Sequence, residues 1–390
     1  MIDRSVEARV DAAGAVLRER LPLLRTGVAL NHAGVTPQPL SEAIAEFERS
    51  RASSLPGAAM ELSKGLKRRI RESYARMLRV SAGEIALTRH TAEGVNVIAQ
   101  GFPWKSGDRL LTVNVEYPSN VYPWWNVRDR GVEIVSVAER RGRVDLEEFV
   151  AAIDERVRVV AISHVEFASG FAFDLPRLAR ECRARDVFLF VDIAQSIGLL
   201  PVDLSLVDAA AWPTWKWLMG PLGMGGLYIA QRRLPMIRPC FVGGDGMVST
   251  PDYLDYRFEF RDDASRFEYS TDNTLGLFGT EEALSRLEPL LDPEAENSLA
   301  NRVFTAGVRL TADLEAGGFR LFSSRAEGER SGIFSFETPG EPGLFAARLR
   351  ESGVEAAVRG GRLRFSPHFY NNSEDLERVS RALGLRSGPR

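Results

Sequence analysis

FLFVDIAQSIG, residues 188–198, decides the fold: a short apolar run ends on Asp192, and Gln195 follows three residues later. A run of this length, rich in β-branched and aromatic side chains, reads as a strand buried on both faces. Comparable runs flank it: RLLTVNV (109–115), VEIVSV (132–137), RVVAIS (158–163), VDAAAW (207–212) and GGLYIA (225–230). Amphipathic stretches such as LEEFVAAIDER (146–156) and LPRLARECRARD (175–186) lie between several of them. This alternation predicts an α/β domain whose central, mostly parallel sheet carries helices on both faces. Ligands of such sheets sit beyond the carboxyl ends of the strands, which is where Asp192 falls. A carboxylate there is costly unless paired or hydrogen-bonded; taken singly, Asp192 reads equally well as an acid that starts a turn.

Downstream, WPTWKWLMGPLGMGG (212–226) holds Lys216 between two tryptophans. Lysine stands at only four positions, 64, 67, 105 and 216, whereas 46 of the 50 basic residues are arginine. A lysine retained among indoles points to a need for the amine itself, since a desolvated lysine can lose its proton and attack a carbonyl. The glycines after it make no GxGxxG fingerprint and read as a turn that lets the backbone pass close to something. LTRHTAEGVNVIAQGF (87–102) is a strand end leading into a helix near Thr91, whose free amides and positive dipole end suit a phosphate. Simple capping would account for the same threonine. In NVEYPSNVYPWW (114–125), Tyr117 taken alone reads as a core aromatic.

A lysine for an aldehyde, a carboxylate for a pyridinium nitrogen, a stacking ring and a helix start for a phosphate are the parts of a pyridoxal 5'-phosphate site. Asp192, Gln195 and Lys216, in this order and at this approximate spacing, resemble the class V aminotransferases. These are PLP-dependent transferases of fold type I, related to cysteine desulfurases, isopenicillin N epimerase-like proteins and kynureninase. The resemblance runs from LNHAGVTPQP (30–39) to LRFSPHFYNNSEDLERV (363–379). It implies that Asp192 contacts the ring nitrogen, Gln195 the phenolic oxygen, and that Lys216 is the Schiff-base lysine. It implies that Tyr117 stacks on the ring and that Thr91 and Ala92 take the phosphate, with Trp215 where relatives place a phosphate-contacting histidine or tyrosine. Thr271 in RFEYSTDNT (266–274) matches a threonine that reaches the neighbouring subunit's phosphate, which implies a homodimer with shared active sites. Arg364 matches the arginine that grips the substrate carboxylate, a role suited to its planar fork. Arg359, Asn31, His32 and SHVEF (163–167) are expected on the substrate side.

The implied activity is PLP-dependent chemistry on an α-amino acid or related amine, with transamination or carbon–sulfur lysis by β-elimination first and epimerisation next. A non-catalytic dimer that keeps the fold is the alternative of another class, and the presence of Lys216, Asp192 and Arg364 speaks against it. Persulfide-type cysteine desulfurase chemistry is disfavoured, because it needs a cysteine in the loop before the substrate arginine and none follows Cys240. Glu166 reads as a solvated rim residue and Cys182 as structural.

The expected boundaries are a large cofactor-binding domain over 30–280 and a small α+β domain built from 1–29 and 281–390. A net charge of −3 and a pI near 6 supply no global field for nucleic acid or an anionic membrane. MIDRSVEARVDAAGAVLRERL reads as an amphipathic helix, not a signal peptide, and no apolar run reaches the length of a membrane span. The two cysteines form no framework and the four histidines no metal-ligand spacing, so no metal and a reducing cytoplasm are expected.

Overall fold

The computed structural model describes residues 4–248, 252, 254–291 and 298–385; the terminal SGPR, expected to fray, lies outside them. Seven strands form the central sheet: β1 (Ile85–Thr88), β2 (Arg109–Val113), β3 (Glu133–Val137), β4 (Val157–Ser163), β5 (Phe188–Asp192), β6 (Ala209–Pro213) and β7 (Gly225–Ile229). Their spatial order is β1-β7-β6-β5-β4-β2-β3. The run from β6 to β3 is parallel, and β7 lies antiparallel to both its neighbours. Six of the seven strands match an apolar run of the sequence to within two residues, and β1 extends the strand end read before Thr91.

Alternation along the strands divides the core in two. Leu111, Val160, Ile162, Leu189, Val191 and Trp212 point into one apolar layer. Leu110, Val159, Ala161, Phe188, Phe190 and Ala211 point into the other. The period of two along continuously apolar strands is what lets both faces be covered. After Arg4–Arg20 (α1), the helix Thr91–Gly101 (α2) covers the second face and Leu175–Ala184 (α3) the first. At Gly94 in α2 a Cβ would come within 2.7 Å of Ala211 Cβ, so glycine lets this helix lie close on β6.

A smaller antiparallel sheet contains β8 (Arg320–Leu321), β9 (Phe334–Glu337), β10 (Ala357–Arg359) and β11 (Arg362–Phe365), in the order β10-β11-β9-β8. Leu299–Ala316 (α4), Pro342–Glu351 (α5) and Ser373–Ala382 (α6) share a third apolar cluster with it. Val28 and Leu30 belong to the same cluster, and the two-residue strand Val28–Ala29 pairs in parallel with Val354–Glu355. Residues from the start of the chain are thereby tied to its end, and the segment that follows them crosses to the large sheet. Thr36 N–H donates to the Trp215 carbonyl at 2.9 Å. No helix among the described residues is long and apolar enough to cross a membrane.

Candidate active site

The carboxyl ends of β1, β4, β5 and β6 open onto a cavity of about 480 Å³. The parallel register sets Ser163 beside Asp192, and Asp192 beside Ala211. Asp192 is buried; its Oδ1 accepts from the Ala194 amide at 2.8 Å. Burial raises its pKa, while Lys216 and the Ala194 amide oppose that and favour the carboxylate. Gln195 is clamped: its Nε2 donates to the Ala33 carbonyl at 2.9 Å, and its Oε1 accepts from Trp217 Nε1 at 3.1 Å.

Lys216 sits just past β6 in a tight loop. Thr214 Oγ1 donates to the Pro221 carbonyl at 2.6 Å, Gly220 N–H to the Thr214 carbonyl at 2.9 Å, and Met219 N–H to the Lys216 carbonyl at 3.1 Å. Met219 holds φ +54°, a left-handed conformation unusual outside glycine. The two flanking indoles part company: Trp217 is buried against His368, whereas Trp215 lines the cavity. What the glycines let pass is Trp212, since a Cβ on Gly226 would fall 2.2 Å from its ring. Burial pushes the Lys216 amine down to about 8; Asp192 resists this, and Arg364 and Arg359 add to it.

On the facing side, Tyr117 is half-exposed, with its ring centroid 5.4 Å from Lys216 Nζ and edge-on to Phe167 at 5.1 Å. Thr91 and Ala92 line the cavity at the N-terminus of α2, where His90 Nδ1 accepts from the Glu93 amide at 3.1 Å. Arg364, on β11, reaches in from the small sheet and is buried. Its Nη1 donates to the Phe167 carbonyl at 2.7 Å and its Nη2 to Asn31 Oδ1 at 2.9 Å, both neutral oxygens. Its Nε is buried without a partner. Burial, and then the positive charge of Arg359, push its pKa down, so an anion arriving there is stabilised.

Thr91, Ala92, Tyr117, Asp192, Gln195, Trp215, Lys216, Arg359 and Arg364 are thus brought to one cavity. Three expected residues are not. Asn31 stands behind Arg364 and orients it, donating in turn to Glu355 Oε1 at 3.1 Å. His32 is fully buried with its ring nitrogens against the Ser366 carbonyl at 2.6 Å and Tyr370 Oη at 2.5 Å; no nitrogen remains for a substrate. Thr271 is exposed and outside the cavity of its own chain. Glu166, expected on the solvated rim, is instead 1% exposed, in a turn closed by its N–H to the Phe171 carbonyl at 2.9 Å and by the Gly170 N–H to its own carbonyl at 2.8 Å. Of SHVEF, Ser163, Val165 and Phe167 line the cavity. Glu116 went unassigned; it lies in a quoted stretch, and only its spacing to a strand end could have flagged it. Cys182 is buried on α3.

The arrangement offers a suppressed amine, a carboxylate with one oxygen uncommitted to the backbone, free helix amides and an anion-seeking arginine. An aldehyde cofactor with a basic ring nitrogen and a phosphate fits that donor and acceptor set.

The aminotransferase class-V family model matches residues 33–379. A probable cysteine desulfurase of Methanothermobacter thermautotrophicus is 28% identical, over 94% of this chain and 96% of that protein. Isopenicillin N epimerase of Streptomyces clavuligerus is 28% identical, over 95% of this chain and 98% of that protein. Among solved structures, an apo cysteine desulfurase from Thermococcus onnurineus superimposes with a TM-score of 0.84 at 23% identity, covering 95% of this chain and 96% of that one. A cystine C–S lyase, C-DES, in complex with its product cysteine persulfide, gives 0.83 at 22% identity, covering 95% and 100%. At such identities these two structures establish the fold alone. The desulfurase relatives overturn the expectation that set that chemistry aside. The reason is physical: a missing thiol speaks to one loop, whereas the likeness to these relatives spans 94% and 93% of the chain.

Proposed function

The chain belongs to the aminotransferase class-V family, and from that premise we propose a pyridoxal-phosphate-dependent enzyme that cleaves the carbon–sulfur bond of a cysteine-like amino acid. The observation that carries the reading is one cavity holding Lys216, Asp192 and Arg364. When bound, pyridoxal phosphate supplies an aldehyde for the substrate amine and a ring that withdraws electrons from the bonds at Cα. Asp192 would keep the ring nitrogen protonated through its free oxygen. Gln195, fixed by Ala33 and Trp217, would offer its remaining amide hydrogen to the phenolic oxygen. Thr91 Oγ1, the α2 amides and the Trp215 indole N–H would hold the phosphate, and Tyr117 would cover the ring. Arg364, aided by Arg359, would grip the substrate carboxylate and so orient the bonds at Cα. Lys216 Nζ, whose neutral form burial favours, would take the Cα proton, and the carbon–sulfur bond would break with its electron pair leaving on sulfur. Full-length similarity to desulfurases supports the choice of a sulfur amino acid.

The test begins with colour. A visible band that borohydride abolishes and Lys216→Ala lacks is expected; a colourless protein indifferent to added pyridoxal phosphate refutes the cofactor. With L-cysteine or L-cystine, alanine as product marks sulfur transfer and pyruvate marks elimination. A keto acid that retains the sulfur, or a D-amino acid, refutes carbon–sulfur cleavage.

We further propose a homodimer in which Thr271 reaches the partner's phosphate site. Support comes from the exposure of Thr271 and from Leu254, Tyr256 and Phe258, which lie 73%, 85% and 75% exposed in the preceding segment. A monomer in light scattering would refute this.

A further inference from the structure

Behind the cavity wall lies a group of acids that the proposed reaction leaves unused. Glu116 is buried, and its carboxylate collects three donors. Ser163 N–H reaches its Oε1 at 2.6 Å, Ser163 Oγ its Oε2 at 2.6 Å, and Asn120 Nδ2 the same Oε2 at 2.9 Å. Asn120 is held in turn by Trp124 Nε1 at 2.8 Å. Beside Glu116 lies Glu166, 1% exposed, and neither of its oxygens meets a donor.

Two adjacent carboxylates have no hydrogen between them, so both oxygens of Glu166 stay orphaned for as long as both groups are ionised. A buried, unpartnered carboxylate costs several kcal/mol. One proton on Glu166 neutralises it and pairs one of its oxygens with Glu116; the other becomes a neutral carbonyl oxygen, far cheaper to bury than a carboxylate. Among the described residues no His, Cys, Asp and Glu cluster is placed to hold a metal ion, so a cation of that kind does not compete for the role. The charges that act on Glu166 are those of Glu116, Asp192 and Glu139, all acidic, and each favours its neutral form. Glu116, with three donors, is the better home for the negative charge.

We propose that Glu166 and Glu116 share one proton, Glu166 as donor and Glu116 as acceptor, and that this pair positions the Ser163 hydroxyl at the cofactor cavity. Ser163 lines that cavity and is strand neighbour to Asp192. With its hydrogen committed to Glu116, Ser163 Oγ presents only lone pairs to whatever the cavity holds. The shared proton also keeps the buried acids from accumulating charge beside Asp192, leaving Asp192 as the carboxylate answered by Lys216. Glu166 acts here as a positioning residue, through Glu116 and Ser163.

Only the final step rests on the cofactor reading, so the decisive measurement uses cofactor-free protein. Infrared difference spectra in heavy water at neutral pH are expected to show the carbonyl stretch of one buried protonated carboxylic acid. Glu166→Gln should remove it. Glu116→Gln should move its frequency, because an amide replaces the carboxylate acceptor, and Ser163→Ala should move it less. A wild-type spectrum without the band, or a band untouched by Glu166→Gln or Glu116→Gln, overturns the shared proton. For the positioning role, Glu166→Leu in protein loaded with pyridoxal phosphate should shift the pH midpoint of the visible band, with Glu166→Gln restoring most of the wild-type value. Unmoved midpoints in Glu166→Leu, or in Ser163→Ala should the former not fold, overturn that role while leaving the cofactor assignment intact.

Discussion

Lys216→Met removes a titrating amine from a pocket that disfavours its charge, and in cofactor-free protein that disfavour is measurable as stability. Burial takes the amine from 10.5 down to about 8, against the pull of Asp192 and with the push of Arg364 and Arg359. Between those two values the unfolded chain binds more protons than the folded one, so the stability of the wild type rises with pH across that window. The whole interval converts to about 3 kcal/mol. Lys216 opens onto the cavity and keeps part of its surface in water, which screens the effect to roughly 1–2 kcal/mol. Below about pH 8 the methionine variant should therefore gain that much relative to the wild type, on top of a pH-independent packing difference. The gain should shrink steadily as pH rises toward about 10. Urea unfolding of both proteins at several pH values, extrapolated linearly to water, reads the difference directly. A difference that stays flat over this range would refute the reasoning, since it would mean that the fold leaves the amine unperturbed.

Arg364→Lys keeps the charge but loses the fork that spans Phe167 and Asn31, so KM for an amino-acid substrate should rise about tenfold or more, with kcat less affected; steady-state kinetics check this. Gly226→Ala forces a Cβ into the Trp212 ring and should cost about 1–3 kcal/mol in urea unfolding, with a wild-type midpoint ruling out the close approach. His32 and His164 are each pushed down to about 4 by burial. The unfolded chain binds their protons first, so stability should be lost as pH falls from about 6.5 toward 4, and His164→Gln should flatten part of that slope in acid titrations followed by circular dichroism.

The sheet was legible because its strands are buried on both faces. Runs such as VFLFVDI can bury that much apolar surface only as central strands, and the cost of an acid at their end fixes where Asp192 must lie. Lys216 was legible through rarity and setting, and the helix start near Thr91 through the strand end before it, although the capping side chain is that of His90. Less was legible wherever a role depends on a distant partner. His32 and Asn31 are adjacent in sequence, yet one is consumed by Ser366 and Tyr370 and the other orients Arg364. Glu166 looked like a rim residue because a lone acid in a polar context usually is one.

The sequence by itself determined the α/β class, the strand ends and the residue types gathered at them, because hydrophobic periodicity and the cost of burying charge act locally along the chain. Only the tertiary structure decided which of those side chains face the cavity and which stand behind it. It did so through contacts between residues far apart in sequence: Asn31 with Arg364, Ala33 with Gln195, and Glu116 with Ser163. Hydrogen-bond geometry and desolvation are properties of a site's whole surroundings, and folding assembles those surroundings from segments that carry no local record of one another.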